Sequence, residues 1–283
     1  MKTNMILEGG GLRGLYTCGV LDVLMENNIE VDSIIGVSAG ALFGANYFSK
    51  QKGRALQYNK AFCGDKRYMS LRSLIFTGNY INKKFAFYKV SKDIFPFDNK
   101  TFMKSGKEFI AVATNIETGQ ADYLEIKDAI KQMEVFRATS AMPLVSRPVK
   151  IDGKKYLDGG VSDSIPIKHN YEKFDKHIVV LTQPDGYEKK PLSKTKTRLV
   201  KWKFRKYPEL VNTMLYRYQE YNKILEEIKE LEKKGEIFVI RPSRKIKIKM
   251  NESNPNKYQA VYDIGVRDAH KIVKNLKKYL EDK

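Results

Sequence analysis

Along the chain, short apolar runs alternate with stretches of helical periodicity. Residues 4–8 (Asn4-Met5-Ile6-Leu7-Glu8) read as a first strand that empties into Gly9-Gly10-Gly11-Leu12-Arg13-Gly14. Leu15, Cys18, Val20, Leu21 and Leu24 then recur near helical spacing, so an amphipathic helix is expected until Asn27-Asn28 stops it. A second apolar run, Ser33-Ile34-Ile35, enters Gly36-Val37-Ser38-Ala39-Gly40 and a small-residue helix carrying Ala41, Gly44 and Ala45. Residues 50–98 are polar and aromatic and are expected to form helices and loops over a sheet, with no finer pattern to read. The run 108–115 is a further strand, turned by Glu117-Thr118-Gly119-Gln120 into an antiparallel partner over 121–126. A helix is predicted over 128–139, closed by Ser140-Ala141-Met142-Pro143. Residues 148–157 alternate about Asp152-Gly153 as two short strands and end in Asp158-Gly159-Gly160. The unbroken apolar run 177–182 has the character of a fully buried parallel strand.

Strands alternating with helices from the start argue for an α/β layered fold with a mostly parallel sheet. Composition shifts at Tyr187, which divides the chain into an expected domain over 1–186 and a basic, mainly helical region over 187–283 packed on it or extending it. Within that region a long helix over 208–234 is broken by Gly235, a strand follows at 236–240, and an amphipathic helix over 256–280 closes the chain. No internal repeat or low-complexity tract interrupts this order.

A chain of 283 residues with 42% hydrophobic and 30% charged residues has enough apolar material for a substantial core. No apolar run approaches the roughly 18 residues of a membrane span. The chain enters a strand and meets Glu8 too early for a signal peptide. Cys18 and Cys63 stand in no metal or redox spacing, so free thiols in a reducing cytosol, and a cytoplasmic protein, are expected. The formal net charge of +19 admits nucleic acid, an anionic membrane or plain solvated lysine as its explanation. No zinc-ligand spacing or nucleic-acid-binding signature accompanies it, and no nucleic-acid partner is expected.

Candidate chemistry gathers on the glycine-rich turns. Gly36-Val37-Ser38-Ala39-Gly40 lies in the strand–turn–helix context of a nucleophile elbow. A Cβ at Gly36 or Gly40 would collide with the crowded strand–helix crossing, and the following helix aims its N-terminal N–H groups at the serine. The plainer reading makes Ser38 a helix N-cap. Gly9–Gly14 spells the dinucleotide fingerprint G-x-G-x-x-G, yet that reading wants an acid at the end of the second strand. Gly36-Val37-Ser38 occupies that place, and Glu30 and Asp32 precede it. The same run of N–H groups beside an activated serine is an oxyanion hole, formed by Gly9, Gly10, Gly11, Leu12, Arg13 and Gly14. Arg13 either adds fixed positive charge there or is a surface ion-pair residue. For the base, His177 opens a buried strand and His270 falls in the closing helix, which leaves His169 as the histidine near a loop. Asp158, leaving a short strand into Gly159-Gly160, is the better candidate; alone it would be an ordinary Asp-Gly turn.

In order and spacing, Gly9–Gly14, Gly36–Gly40 and Asp158-Gly159-Gly160 resemble the motifs of patatin-like phospholipases. Ala138-Thr139-Ser140-Ala141-Met142-Pro143 is similar to the family's stretch between elbow and acid, and the likeness covers roughly residues 4–184. The Lys-rich C-terminal region resembles, more weakly, the extension of a bacterial patatin subgroup. Membership would imply a three-layer α/β/α sandwich and a Ser–Asp dyad, with Ser38 the nucleophile, Asp158 the base and the Gly9–Gly14 backbone the oxyanion hole. Gly36, Gly40, Gly159 and Gly160 would be the motif glycines; many members carry alanine where Gly160 stands, and the family accepts either. The implied reaction is acyl-ester hydrolysis in lipids, as by a phospholipase A or lipid acyl hydrolase, without metal or cofactor.

A dyad is chemically reasonable if burial lifts the aspartate above its ordinary pKa of about 3.9. A lipid substrate also gives a role to residues 189–206, where nine Lys or Arg and no acid surround Trp202 and Phe204. Peripheral docking on an anionic membrane, at the inner face, is one reading, with each basic residue worth about 1 kcal/mol near the surface. A solvated basic linker is the other. Two rivals remain at this level: a carboxylesterase with a Ser-His-Asp triad through His169, and a catalytically silent membrane-binding or regulatory module of the same fold.

Overall fold

The structure, a computed structural model, describes residues 1–282. β1 (Thr3–Leu7) passes through a 3-10 turn, Gly11–Gly14, into α1 (Leu15–Glu26), and β2 (Ser33–Val37) runs into α2 (Ala39–Phe48). The stretch without a readable pattern holds α3 (Arg54–Ala61), α4 (Leu71–Thr77), a π-helical segment Lys83–Ile94 and α5 (Asn99–Lys104). β3 (Glu108–Asn115), β4 (Ala121–Glu125), α6 (Met133–Thr139), β5 (Val149–Ile151) and β6 (Lys154–Asp158) follow. The remainder is β7 (Lys176–Val180), α7 (Lys194–Lys203), α8 (Pro208–Lys233), β8 (Ile237–Ile240) and α9 (Pro255–Glu281).

Period-two alternation in the central strands feeds cores on both faces of the sheet. Met5 and Leu7 of β1, Ile34 of β2, Phe109 and Ala111 of β3, and Ile178 and Val180 of β7 pack under α1, α2 and α9. Ile6, Ile35, Val37, Ile110, Val112 and Val179 point the other way, against Tyr221, Ile224 and Ile228 of α8. The result is a three-layer α/β/α sandwich. Its 8-stranded sheet has a parallel run, β3-β2-β1-β7-β8, with β4 and β6 antiparallel on β3 and β5 antiparallel on β6. The C-terminal residues thus supply the edge strand β8, much of one helical layer through α8, and part of the other through α9.

Two elements differ from their sequence patterns for visible reasons. The helix predicted from residue 128 begins at Met133, because Asp128 Oδ1 accepts the N–H groups of Ile130 and Lys131 and holds 128–132 as a turn. α1, amphipathic by its spacing, is buried from Leu15 through Leu24. α9 lies across its outer side, and the two backbones touch at small residues. A Cβ built on Gly19 would come within 2.2 Å of Tyr262 O, and one on Gly265 within 2.1 Å of Tyr16 O.

The register of β3 explains how the site is assembled. β4 pairs with Ile110–Thr114, overlapping both β2 (up to Val37↔Val112) and β6 (from Ala113↔Asp158). β2 and β6 must therefore share the opposite edge of β3, one ending where the other ends. β2 runs along β3 and β6 against it, so their C-terminal ends meet at Val112 and Ala113.

The helix crossing yields a stability test. Gly265→Val forces α9 away from Tyr16 and is expected to lower unfolding stability by about 3 kcal/mol, the upper range for an overpacked site. Urea unfolding followed by circular dichroism measures it; a change below about 0.5 kcal/mol, the scale of an ordinary surface substitution, would contradict the packing described.

Candidate active site

Ser38 occupies the turn between β2 and α2 with φ 52° and ψ −120°, a strained conformation for a residue bearing a Cβ. The turn closes because its neighbours are small. A Cβ at Gly36 would come within 2.6 Å of the Ala41 backbone, and one at Gly40 within 2.4 Å of Leu7 O. The Ser38 N–H donates to Thr139 Oγ1 at 2.9 Å, which ties the elbow to the end of α6. The start of α2 directs its positive dipole end toward the serine.

Asp158 arrives from the facing strand end. Ser38 Oγ donates to Asp158 Oδ2 at 2.7 Å, and the Gly160 N–H donates to Oδ1 at 2.8 Å. Thr114 Oγ1 donates to the Asp158 carbonyl at 2.8 Å, pinning the end of β6 to β3. The next residue must be glycine here, since a Cβ on Gly159 would lie 2.1 Å from Val112 O. Asp158 is only 8% exposed. Burial pushes its carboxyl above the ordinary value, opposed by the Ser38 hydroxyl, the Gly160 N–H and the charges of Arg217 and Lys189.

Gly9, Gly10, Gly11, Leu12 and Arg13 line the same cavity of about 270 Å³ as Ser38, Asp158 and Gly160. The 3-10 turn that they open leaves the N–H groups at its start without acceptors inside the turn. Gly11 has φ +54°, which permits the tight entry, and Gly9 lies against Ser38, with a built Cβ 3.2 Å from the serine's own. Gly14, Gly36, Gly40 and Gly159 do not line the cavity; they allow close packing behind it.

His169 is elsewhere. Its ring stacks on Tyr123 at 3.7 Å between centroids, and burial lowers its pKa. His177 stacks on Tyr171 and His270 is exposed. None of the three lines the Ser38 cavity.

Several residues of the site carried no sequence signal. Thr139 lay inside the recognised stretch but without a role. Arg217, Ile248 and Met250 line the cavity from the C-terminal region, where Arg217 reads as one cation among many. Glu8, 2% exposed, accepts from the Thr182 N–H, from Thr182 Oγ1 and from the Tyr221 hydroxyl, joining the end of β1 to α8.

Residues 5–170 match the family model described as patatin-like phospholipase, and residues 207–281 match one described as a domain of unknown function (DUF6363). The chain belongs to the patatin-like phospholipase family. It is 30% identical over 182 residues to "Uncharacterized protein YjjU" of Escherichia coli K12, covering 62% of this chain and 50% of that protein. It is 23% identical over 278 residues to lysophospholipase NTE1 of Scheffersomyces stipitis, covering 95% of this chain and 18% of that protein. The chain therefore spans half the length of the first relative and under a fifth of the second. Among solved structures, VipD from Legionella pneumophila aligns with a TM-score of 0.48 at 12% identity, over 97% of this chain and 67% of that one.

The raised carboxyl has a consequence for stability. Burial favours the neutral acid in the folded state, so above about pH 3.9 the folded protein holds this proton more tightly than the unfolded chain does. Stability from this group is complete below that pH and falls as pH rises through the folded-state pKa. Asp158→Asn removes the charge, so its melting temperature is expected to exceed that of wild type around pH 8 and to converge with it near pH 4. Calorimetry at both pH values checks this; a variant less stable than wild type around pH 8 would contradict the burial cost.

Proposed function

We propose that the protein is a serine hydrolase that cleaves acyl-ester bonds of lipids, in the manner of a phospholipase A or lipid acyl hydrolase. The single observation that carries the reading is the 2.7 Å contact from Ser38 Oγ to the buried Asp158 carboxyl, inside the cavity bordered by the Gly9–Arg13 turn. Membership of the patatin-like phospholipase family supports it.

In this mechanism Ser38 Oγ attacks the acyl carbonyl carbon as its proton passes to Asp158 Oδ2. The carbonyl oxygen becomes the oxyanion and is held by N–H groups of the glycine turn. Collapse breaks the carbon–oxygen bond to the leaving alcohol, which takes the proton from Asp158 and departs, leaving acyl-Ser38. Asp158 then accepts a proton from water, the hydroxyl attacks the acyl carbon, and the proton returns to Ser38 as the fatty acid leaves. An aspartate with a pKa above the ordinary range is a more effective acceptor for these transfers than an exposed one.

Contact with an anionic membrane surface belongs to the same proposal. α7 exposes Leu199 and Trp202 amid lysines and arginines, and Lys203 Nζ donates to Leu144 O at 3.1 Å. Leu144 follows Met142 and Pro143, which line the cavity. The turn after α4 braces the same loop through Tyr80 N–H to Val145 O, and α4 itself exposes Leu71, Ile75 and Phe76, the last at 77%. Apolar side chains so exposed among basic residues, on segments bonded to the loop that follows Met142 and Pro143, suit insertion into a negatively charged lipid surface. Among the described residues no helix is long and apolar enough to cross a membrane.

Two measurements test these points. Hydrolysis of a monoacyl lipid is expected to fall by about a thousandfold or more in Ser38→Ala and in Asp158→Asn, while His169→Ala keeps the wild-type rate. Normal turnover in Asp158→Asn, or collapse in His169→Ala, would contradict the dyad. In flotation, the protein is expected to rise with phosphatidylserine-rich vesicles at low salt and less so at high salt, and Ile75→Ser with Phe76→Ser to weaken binding by about tenfold. Wild-type protein that stays at the bottom at low salt would remove membrane docking.

A further inference from the structure

Positive charge outnumbers negative around the Ser38 cavity. Arg217 enters it from the middle of α8, a helix wholly inside the segment matched by a model of unknown function. Its Nη2 meets Ser164 Oγ at 3.4 Å, long for such a bond, and its buried Nε has no hydrogen-bond partner. Arg13, which lines the same cavity, likewise has a buried Nε without a hydrogen-bond partner. Lys189 is held nearby by its N–H to Asn222 Oδ1 at 2.8 Å, and its Nζ stands 3.7 Å from the centre of the Tyr221 ring. Arg217, Tyr221 and Asn222 lie within about a turn of one another on α8.

The acids within reach are already engaged. Asp158 accepts from Ser38 and Gly160, and Glu8 from Thr182 and Tyr221. Burial and the charge of Arg217 push Lys189 down to about 7, and burial also depresses Arg217. Arg217, Arg13 and Lys189 are half-buried and outnumber Asp158 and Glu8, the two acids whose charges reach this cluster, so an excess of positive charge remains at the cavity, which points to an anion supplied from outside. A phosphate fits the donors: planar guanidinium groups grip its oxygens in pairs, and an ammonium adds a point charge.

We infer that Arg217 and Lys189, with Arg13 beside them, form a subsite for the phosphate of the lipid being cleaved, so that the substrate is a phosphate-bearing acyl lipid in preference to a neutral glyceride. This rests on the hydrolase reading above. It also gives the C-terminal segment a task, that of walling the cavity with charge. A Cβ at Gly160 would lie 3.2 Å from Arg217 Nη2 and 3.1 Å from Asp158 Oδ1, so the guanidinium also flanks the acid. A residue that only tuned Asp158 would affect every ester alike, whereas a phosphate subsite changes the preference between esters.

The test compares kcat/KM for 1-acylglycerol 3-phosphate and for 1-acylglycerol with the same chain. Wild type is expected to prefer the phosphate-bearing ester, and Arg217→Gln to reduce that preference by about tenfold to a hundredfold, the scale of a lost charge-assisted bond. Lys189→Met moves it in the same direction by less. A preference unchanged in Arg217→Gln, even with both rates reduced, overturns the subsite and leaves the hydrolase standing. Wild type inactive on both esters counts against the hydrolase instead. Titration calorimetry with glycerol 3-phosphate then decides the subsite alone: binding to wild type that is lost in Arg217→Gln supports it, and no binding overturns it. Inorganic phosphate binding as tightly as glycerol 3-phosphate, with no preference between the lipids, would mark a free-phosphate site and overturn the lipid assignment.

Discussion

The structure depends on one meeting of strand ends. β2 and β6 share an edge of β3 and run toward each other, so a serine just past one and an aspartate at the tip of the other must come together. Each end tolerates little else. Gly36 and Gly40 let α2 turn back against β1 and β2, and Gly159 passes against the Val112 carbonyl. Bringing Asp158 to this place buries a carboxyl, a cost offset in part by the Ser38 hydroxyl and the Gly160 N–H. The local strain of Ser38 and the unfavourable burial of Asp158 persist because the surrounding sheet and helices leave no relaxed alternative.

The C-terminal residues take part in the architecture and in the cavity together. β8 adds a parallel strand beside β7, α9 seals α1 through two glycines, and α8 forms the layer across the opposite face. Glu8, at the end of β1, is joined to α8 by the Tyr221 hydroxyl, so the wall bearing Arg217 is fastened to the strand that leads into the glycine turn. Displacing α8 would therefore open an apolar face of the sheet and disturb the cavity at the same time.

Much of this was legible in the sequence where local chemistry was decisive. The apolar runs of the parallel strands declare themselves, because strand burial admits few residues, whereas the glycine turns after β1 and β2 and the Asp158 turn are each ambiguous alone and become specific only together and in their order. What stayed hidden depends on distant partners. The full burial of α1 is set by α9, some 240 residues later, as in the Tyr262 hydroxyl bond to Asp22. The late start of α6 turns on how Asp128 spends its side-chain acceptor. Arg217 and Lys189 are inconspicuous in a chain with 52 Lys and Arg; the packing of α8 brings Arg217 into the cavity lining and holds the Lys189 backbone through Asn222. The exposed face of α4 lies in a stretch whose aromatic, polar mixture has no clear period.

Activation of Ser38 by Asp158 is best tested by the rate and position of covalent capture. The protein and its Asp158→Asn variant would be treated with a fluorophosphonate and mapped by peptide mass spectrometry. The account predicts a single adduct, on Ser38, formed in wild type and slowed by about a hundredfold or more in a folded Asp158→Asn variant. An adduct at another residue, or equal rates in the two proteins, would contradict it.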